Sequence, residues 1–316
     1  MNRSPQKKRK VYALGETVLD MVSEGGFAFR AIPGGSVLNA SVSLGRMGID
    51  VTLLSEIGAD KAGDLIAEFL ENNAVHADLC TRLPGYKTSL ALAFLDGEKK
   101  ASYSFYHDSP VELAGAKVPV FQKEDVLLFG SFYSVKPDRR AFVLKVLQNA
   151  MEAGSVIYYD LNIRKAHSVE MSMLLPSFIN NMSVATIVKG SDEDFLELFG
   201  LSDPLAIYEK VSRYCKILLI TYGSGPVQVF THGFSKSYDV PAIVPVSTIG
   251  AGDNFNAGFI YGLAAIDAAG GELADLPVAE MDLLAGYGIA FAAETCQREE
   301  NFVDTRFNSD FHKPQI

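Results

Sequence analysis

Four short apolar runs in the middle of the chain constrain its fold more than any other feature. They are Val126-Leu127-Leu128-Phe129-Gly130, Val156-Ile157-Tyr158-Tyr159-Asp160, Ala185-Thr186-Ile187-Val188-Lys189 and Ile217-Leu218-Leu219-Ile220-Thr221. Each is too short for a helix and shows no alternation, so each reads as a strand buried on both faces. Helical segments stand between them, one after Pro137 and one after Ser191. Such strands, separated by helices, form a mainly parallel central sheet with helices on both faces, an α/β fold. Val11 to Gly15 and Val51 to Ser55 read as further strands of that sheet. A helix capped by Gly35 or Ser36 runs to about Met47, and Asp60 opens another to about Asn72. Ligands of such sheets bind beyond the carboxyl ends of the strands. Asp160, Lys189 and Thr221 fall at those ends.

A second sheet is written in a different pattern. Residues 27–32 mix apolar and polar positions as a half-exposed strand does, and Pro33-Gly34-Gly35-Ser36 reads as a turn. From Lys87 to Tyr106 apolar residues alternate on both sides of Asp96-Gly97, which predicts a β-hairpin with a tight turn. These segments suit a small sheet apart from the main one.

The most informative loop lies near the C-terminus. Ser237 to Val246 reads as extended chain, broken by Pro241 and Pro245. Phe255, Phe259, Ile260 and Leu263 then recur at helical spacing. Gly250-Ala251-Gly252-Asp253 therefore sits where a loop becomes a helix. Glycines let the backbone turn sharply and a ligand come close. The first N–H groups of the helix point outward with its dipole behind them, which makes an anion site suited to phosphate. A carboxylate facing that site is a poor phosphate ligand, and Asp253 suits instead a base that takes a proton from an attacking hydroxyl. Taken alone, the stretch also matches an ordinary Gly-rich turn with Asp253 as helix N-cap.

Other candidates carry similar alternatives. Gly34-Gly35 and Asn39 offer close backbone approach and an amide one turn into a helix, or simply a tight turn and a buried polar group. Asp20, after the first strand, suits sugar hydroxyls or a solvated loop. Asp160 to Arg164 offers a carboxylate, an amide and a guanidinium that could hold a phosphate or sugar oxygen, or a surface ion pair. Lys189 is a cation near the proposed phosphate path. Ser191 and Asp194 open a helix, where a cap explains them as well as a ligand does. Thr221, Gly223 and Gly225 allow close approach of adenine or phosphate, or form a hairpin turn. Phe105, at the end of the hairpin, covers a ligand or packs in a core.

Composition excludes several classes. The net charge is −10 over 316 residues, which argues against nucleic acid or an anionic membrane as partner. Three cysteines, far apart and odd in number, give neither a disulfide frame nor a zinc spacing and suit a reducing cytoplasm. No metal site is read from side chains, and no apolar run is long enough to span a bilayer. Residues 1–10 form a basic arm whose Lys7-Lys8-Arg9-Lys10 is like a nuclear-localisation cluster, although a soluble terminus is the plainer reading. No linker or repeat divides residues 11–316, which read as one domain.

Together, Gly34-Gly35 with Asn39 and Gly250 to Asp253 resemble the ribokinase-like, or PfkB, carbohydrate kinases over about residues 11–307. Gly15-Glu16-Thr17-Val18-Leu19-Asp20 is similar to the opening of the fructokinase-like branch. The resemblance implies a Rossmann-like sheet with a small β lid, here from about 20–33 and 84–112. It implies ATP and Mg2+, and phosphorylation of a sugar hydroxyl. It makes Asp253 the base and Gly250, Ala251 and Gly252 the anion hole. It places Asp20, Gly34, Gly35, Asn39 and Arg164 on the sugar, with Phe105 and Asp160 beside it. It places Lys189, Ser191, Asp194, Thr221, Gly223 and Gly225 on the nucleotide. Lids of this kind often pair, which suggests a homodimer.

Departures from the family pattern are also visible. Ser247 stands where the family usually has an Asp that helps hold a monovalent cation, which puts potassium in question. Ser191 and Asp194 replace an Asn and a Glu, Pro226 replaces a Gly, and Tyr287 an Asn. They motivate an alternative, a catalytically weak or inactive sugar- or nucleotide-binding regulator on the same fold. A nicotinamide dehydrogenase is disfavoured, since no G-x-G-x-x-G follows the first strand. Fructose is the first substrate to consider, with 2-keto-3-deoxygluconate, ribose and nucleosides as rivals.

Overall fold

The computed structural model describes residues 9–23, 25, 27–95, 101–107, 113, 116–163, 171–266 and 273–310. The first half holds β1 (Lys10–Leu14), β2 (Val18–Ser23), β3 (Arg30–Gly34), α1 (Ser36–Arg46), β4 (Asp50–Gly58), α2 (Lys61–Asn72), β5 (Val75–His76), β6 (Cys80–Leu83), β7 (Leu90–Leu95) and β8 (Ala101–Tyr106). Next come β9 (Val126–Gly130), α3 (Pro137–Ala153), β10 (Val156–Asp160), α4 (Met171–Val184), β11 (Ile187–Ser191), α5 (Asp192–Phe199), α6 (Pro204–Val211) and β12 (Ile217–Thr221). The chain closes with β13 (Val227–Thr231), β14 (Ser235–Tyr238), α7 (Ala251–Ala265), α8 (Val278–Cys296) and α9 (Phe307–Asp310).

Among the described residues the main sheet has ten strands in the order β14-β13-β12-β11-β10-β9-β1-β4-β5, with β6 also on β4. From β12 through β4 all neighbours are parallel, and only β13 and β14 run antiparallel at one edge. Strand alternation divides the core into two layers. Leu128, Tyr158 and Leu219 pack with Phe255, Phe259 and Leu284 of α7 and α8. Leu127, Phe129, Tyr159 and Val188 pack on the other face with Val143 of α3 and Phe178 of α4. That double burial is why these strands carry no polar alternation.

A separate four-stranded sheet has the order β3-β2-β7-β8. Here the expectations need correction. Asp20 lies in β2, between Ile32 of β3 and Ala91 of β7, which removes the solvated-loop alternative. Pro33-Gly34 is not a turn but the end of β3, an edge strand, the place in a sheet where proline is best tolerated. Residues 27–29 precede this strand rather than forming it. Of the expected extended run, the residues to Tyr238 end β14, and residues 239–247 form no ladder. Pro241 and Pro245 withhold two of the N–H groups that a ladder needs. Arg164, Asp96-Gly97 and residues 1–8 lie outside the described residues.

Candidate active site

The site is built on the N-termini of α1 and α7. Gly250 caps α7 with φ 80°, in the left-handed region that glycine reaches freely. A Cβ there would also lie 2.7 Å from the Asn301 carbonyl oxygen. Asn254, fully buried, donates to the carbonyls of Gly250 at 2.8 Å and Asn301 at 2.7 Å, and accepts from the Ser43 hydroxyl. These bonds pin the first turn of α7 to α1 and to the loop after α8. Asp253 stands in that turn. Its Oδ1 accepts from Ser36 Oγ at 2.7 Å and its Oδ2 from Asn39 Nδ2 at 2.9 Å. The side chain is part-exposed, not sealed in the core. Asn39 is 5% exposed, and its Oδ1 has no hydrogen-bond partner among the described residues. A buried acceptor left so is costly, and it invites a donor from a ligand.

Behind the first turn of α7 lies a buried charge cluster. The strand register sets Asp160 beside Lys189 and Ser191 beside Thr221. Lys189 Nζ is 3.1 Å from Asp160 Oδ1 and would be 3.1 Å from a Cβ on Gly252. Asp160 Oδ2 accepts from Asn256 at 2.7 Å, and Asn256 accepts from the Tyr158 hydroxyl at 3.0 Å. Burial alone would lower Lys189, but Asp160, Asp194 and Asp253 outweigh it and hold the ammonium above its ordinary range. Burial pushes the carboxyl of Asp160 up, against the pull of Lys189.

Several expected ligands have other tasks. Asp160 is 3% exposed; its Oδ2 accepts from Asn256, and its Oδ1 lies 3.1 Å from Lys189 Nζ as an ion pair but has no hydrogen-bond partner among the described residues. Ser191 and Asp194 form a capping box on α5, and Asp194 also accepts from the Ile163 amide at 2.7 Å. Burial raises the Asp194 carboxyl despite Lys189 nearby. Ser247 Oγ accepts from the Ile249 amide at 3.2 Å, a local turn bond. Tyr287 is 2% exposed and meets Tyr261 edge-on at 5.2 Å, as packing between α7 and α8. Thr221, Gly223 and Gly225 occupy the end of β12 and its turn into β13, with Gly225 N donating to the Tyr222 carbonyl at 2.9 Å.

The small sheet brings two expected residues to one face. Across it Ile32, Asp20, Ala91 and Phe105 are in register, so Asp20 and Phe105 share a side. Asp20 Oδ2 lies so close to Gly34 that a Cβ there would be 2.3 Å away. Sequence reasoning overlooked Ser36, Asn254 and Asn256 as site residues. For Asn254 and Asn256 the available signal was polar side chains on a helix otherwise lined by Phe255, Phe259 and Leu263, since buried polar groups need partners.

The arrangement can hold an anion on helix N-termini, offer a fixed carboxylate beside it, and back both with a buried cation. A family model described as pfkB family carbohydrate kinase matches residues 8–300. The chain is 27% identical over 275 residues to a probable chloroplastic fructokinase-6 of Arabidopsis thaliana, covering 83% of this chain and 72% of that protein. It superposes on aminoimidazole riboside kinase from Salmonella enterica, complexed with aminoimidazole riboside and an ATP analog, with TM-score 0.81 at 20% identity, over 95% of this chain and 99% of the other. A double-mutant fructokinase from Vibrio cholerae O395, bound to fructose, ADP and potassium, gives TM-score 0.81 at 21% identity, over 94% and 95%.

Proposed function

The chain belongs to the pfkB family of carbohydrate kinases, and from that premise we propose that it moves the γ-phosphoryl of MgATP to a hydroxyl of a sugar, fructose being the first to test. The observation that carries the reading is the Asp253 carboxylate, held by Ser36 and Asn39 at the N-terminus of α7. In this reading Asp253 takes the proton from the attacking hydroxyl. The N–H groups of residues 250–253 stabilise charge on the phosphoryl in flight. Asn39 Oδ1 accepts from the sugar, and Asp20, Gly34, Gly35 and Phe105 complete its binding surface. Lys189 adds positive charge beneath the anion hole. The loop at Thr221, Gly223 and Gly225 meets the nucleotide, with Ser191 and Asp194 holding the neighbouring turn. The small sheet acts as a lid that excludes water.

Mg2+ arrives with the nucleotide and is held chiefly by phosphates and water. Among the described residues no cluster of three or more His, Cys, Asp or Glu is placed to hold a metal. Cys80, Cys215 and Cys296 are free, which supports a reducing cytoplasm. No helix among the described residues is long and apolar enough to cross a membrane. Phe29 and Phe94 meet edge-on at 5.7 Å with both rings exposed. That aromatic patch supports pairing of two lids, which sedimentation velocity would reveal as a dimer that Phe94→Asp dissolves.

The decisive assay couples ADP release to a panel of sugars. Asp253→Asn should keep sugar and ATP binding but lose at least ~100-fold in turnover. Near-normal turnover in that variant would remove Asp253 as the base. Sugar binding without ADP release in the unaltered protein would favour the regulator.

A further inference from the structure

Ser36 is the first residue of α1, yet it does not cap that helix. The N-cap is Gly35, and no side chain makes a capping bond there. The Ser36 hydroxyl instead crosses to α7 and donates to Asp253 Oδ1 at 2.7 Å. Asn39, nearly one turn further along α1, donates to the other oxygen at 2.9 Å. A carboxylate turns easily about its last torsion, so one donor leaves its plane loose. Two donors on one rigid helix, one to each oxygen, fix both its position and its plane.

We infer that Ser36 is a positioning residue for the reacting carboxylate. The inference rests on the reading of Asp253 as general base. Both donors are neutral, so they orient the carboxylate without cancelling its charge, as a lysine or arginine at position 36 would. Each oxygen keeps a lone pair after accepting one bond, so an incoming hydroxyl still finds an acceptor in a fixed place. Orientation of this kind matters because a misplacement of about 1 Å at a reacting group can cost ~100-fold in rate. The hydroxyl is also short. The start of α1 that carries it is pressed against the loop after β1, where a Cβ on Gly35 would lie 2.4 Å from the Glu16 carbonyl oxygen.

The test is steady-state kinetics with the best sugar of the panel, on Ser36→Ala, Ser36→Thr, Asp253→Asn and the Ser36→Ala/Asp253→Asn double variant. Ser36→Ala should lose about 10- to 100-fold in kcat, the range for one hydrogen bond to a charged group. KM for sugar and for ATP should stay within about twofold, since only the transition state needs the fixed carboxylate. Ser36→Thr keeps the hydroxyl and should restore most of kcat. In the Asp253→Asn background Ser36→Ala should cost less than about twofold, because its effect passes through the carboxylate. Thermal melts check that each variant is folded. A wild-type kcat in Ser36→Ala, or the same loss in both backgrounds, would overturn the role of Ser36 while leaving Asp253 as base. Near-normal turnover of Asp253→Asn would instead remove the base itself, a separate failure.

Discussion

Lys189 and Asp160 form an ion pair at 3.1 Å with side chains only 6% and 4% exposed. They are neighbours across β10 and β11, Asp160 as the last residue of its strand and Lys189 as the middle residue of its own, so the expected strand end at Lys189 lies two residues later, at Ser191. The pair is costly to bury and is retained next to Gly252, in the first turn of α7. The pair carries no net charge, and its attraction acts where little solvent screens it.

Lys189→Met removes the cation shared by Asp160, Asp194 and Asp253. Breaking one partner out of a buried pair typically costs ~3–5 kcal/mol. The expected result is a lower urea midpoint together with a raised KM for ATP. A midpoint equal to that of the unaltered protein would show that the remaining carboxylates need no counter-charge.

Gly34→Ala tests the sugar side alone. The backbone angle at Gly34 is ordinary, so the added Cβ acts only by contact, 2.3 Å from Asp20 Oδ2. Asp20 must move, and the KM for sugar should rise at least ~10-fold, the loss of about one hydrogen bond to a charged group. The KM for ATP should not change. Equal rises for both substrates would mean that the variant disturbs the whole cleft and not Asp20.

Asp60→Ala removes the cap of α2. Asp60 accepts from Gly63 N at 2.8 Å, Thr88 N at 2.9 Å and Thr88 Oγ1 at 2.6 Å. Slight burial pushes its carboxyl up, but these donors and Arg82 outweigh it and hold it below the ordinary value of 3.8. A lowered value in the folded state means that the unfolded chain binds the proton more readily. The stability from Asp60 is therefore present above about pH 4 and fades as pH falls through the folded value. At neutral pH the variant should be ~1–2 kcal/mol less stable by urea denaturation. The difference should shrink in acid, and a gap that stays constant with pH would assign the loss to packing instead.

The central strands were legible because their burial is complete. β9, β10 and β12 match their apolar runs residue for residue. A strand covered on both faces admits a polar residue only where a partner is supplied, so a continuous apolar run marks its extent. The Asp60 cap and the start of α7 after Gly250 were legible for a local reason, since their chemistry lies within one helical turn. β2 was not legible. Its Asp20 looks like a loop residue until β3 and β7 flank it, and those strands come from separate parts of the chain. Asp160 and Asp194 show the opposite limit. Asp160 closes β10 and Asp194 lies in the first turn of α5, as expected, but only the fold supplies their partners Lys189, Asn256 and the Ile163 amide.

The chain's own order of residues determined a parallel sheet, the strand ends where polar groups gather, and the glycine turn that starts α7. Only the tertiary structure decided that Ser36 and Asn39 close on Asp253, 217 and 214 residues further along. Local patterns act over a few residues through backbone geometry and burial. Contacts across such separations depend on how parallel strands order themselves and how helices pack over them. No short stretch of sequence carries that information by itself.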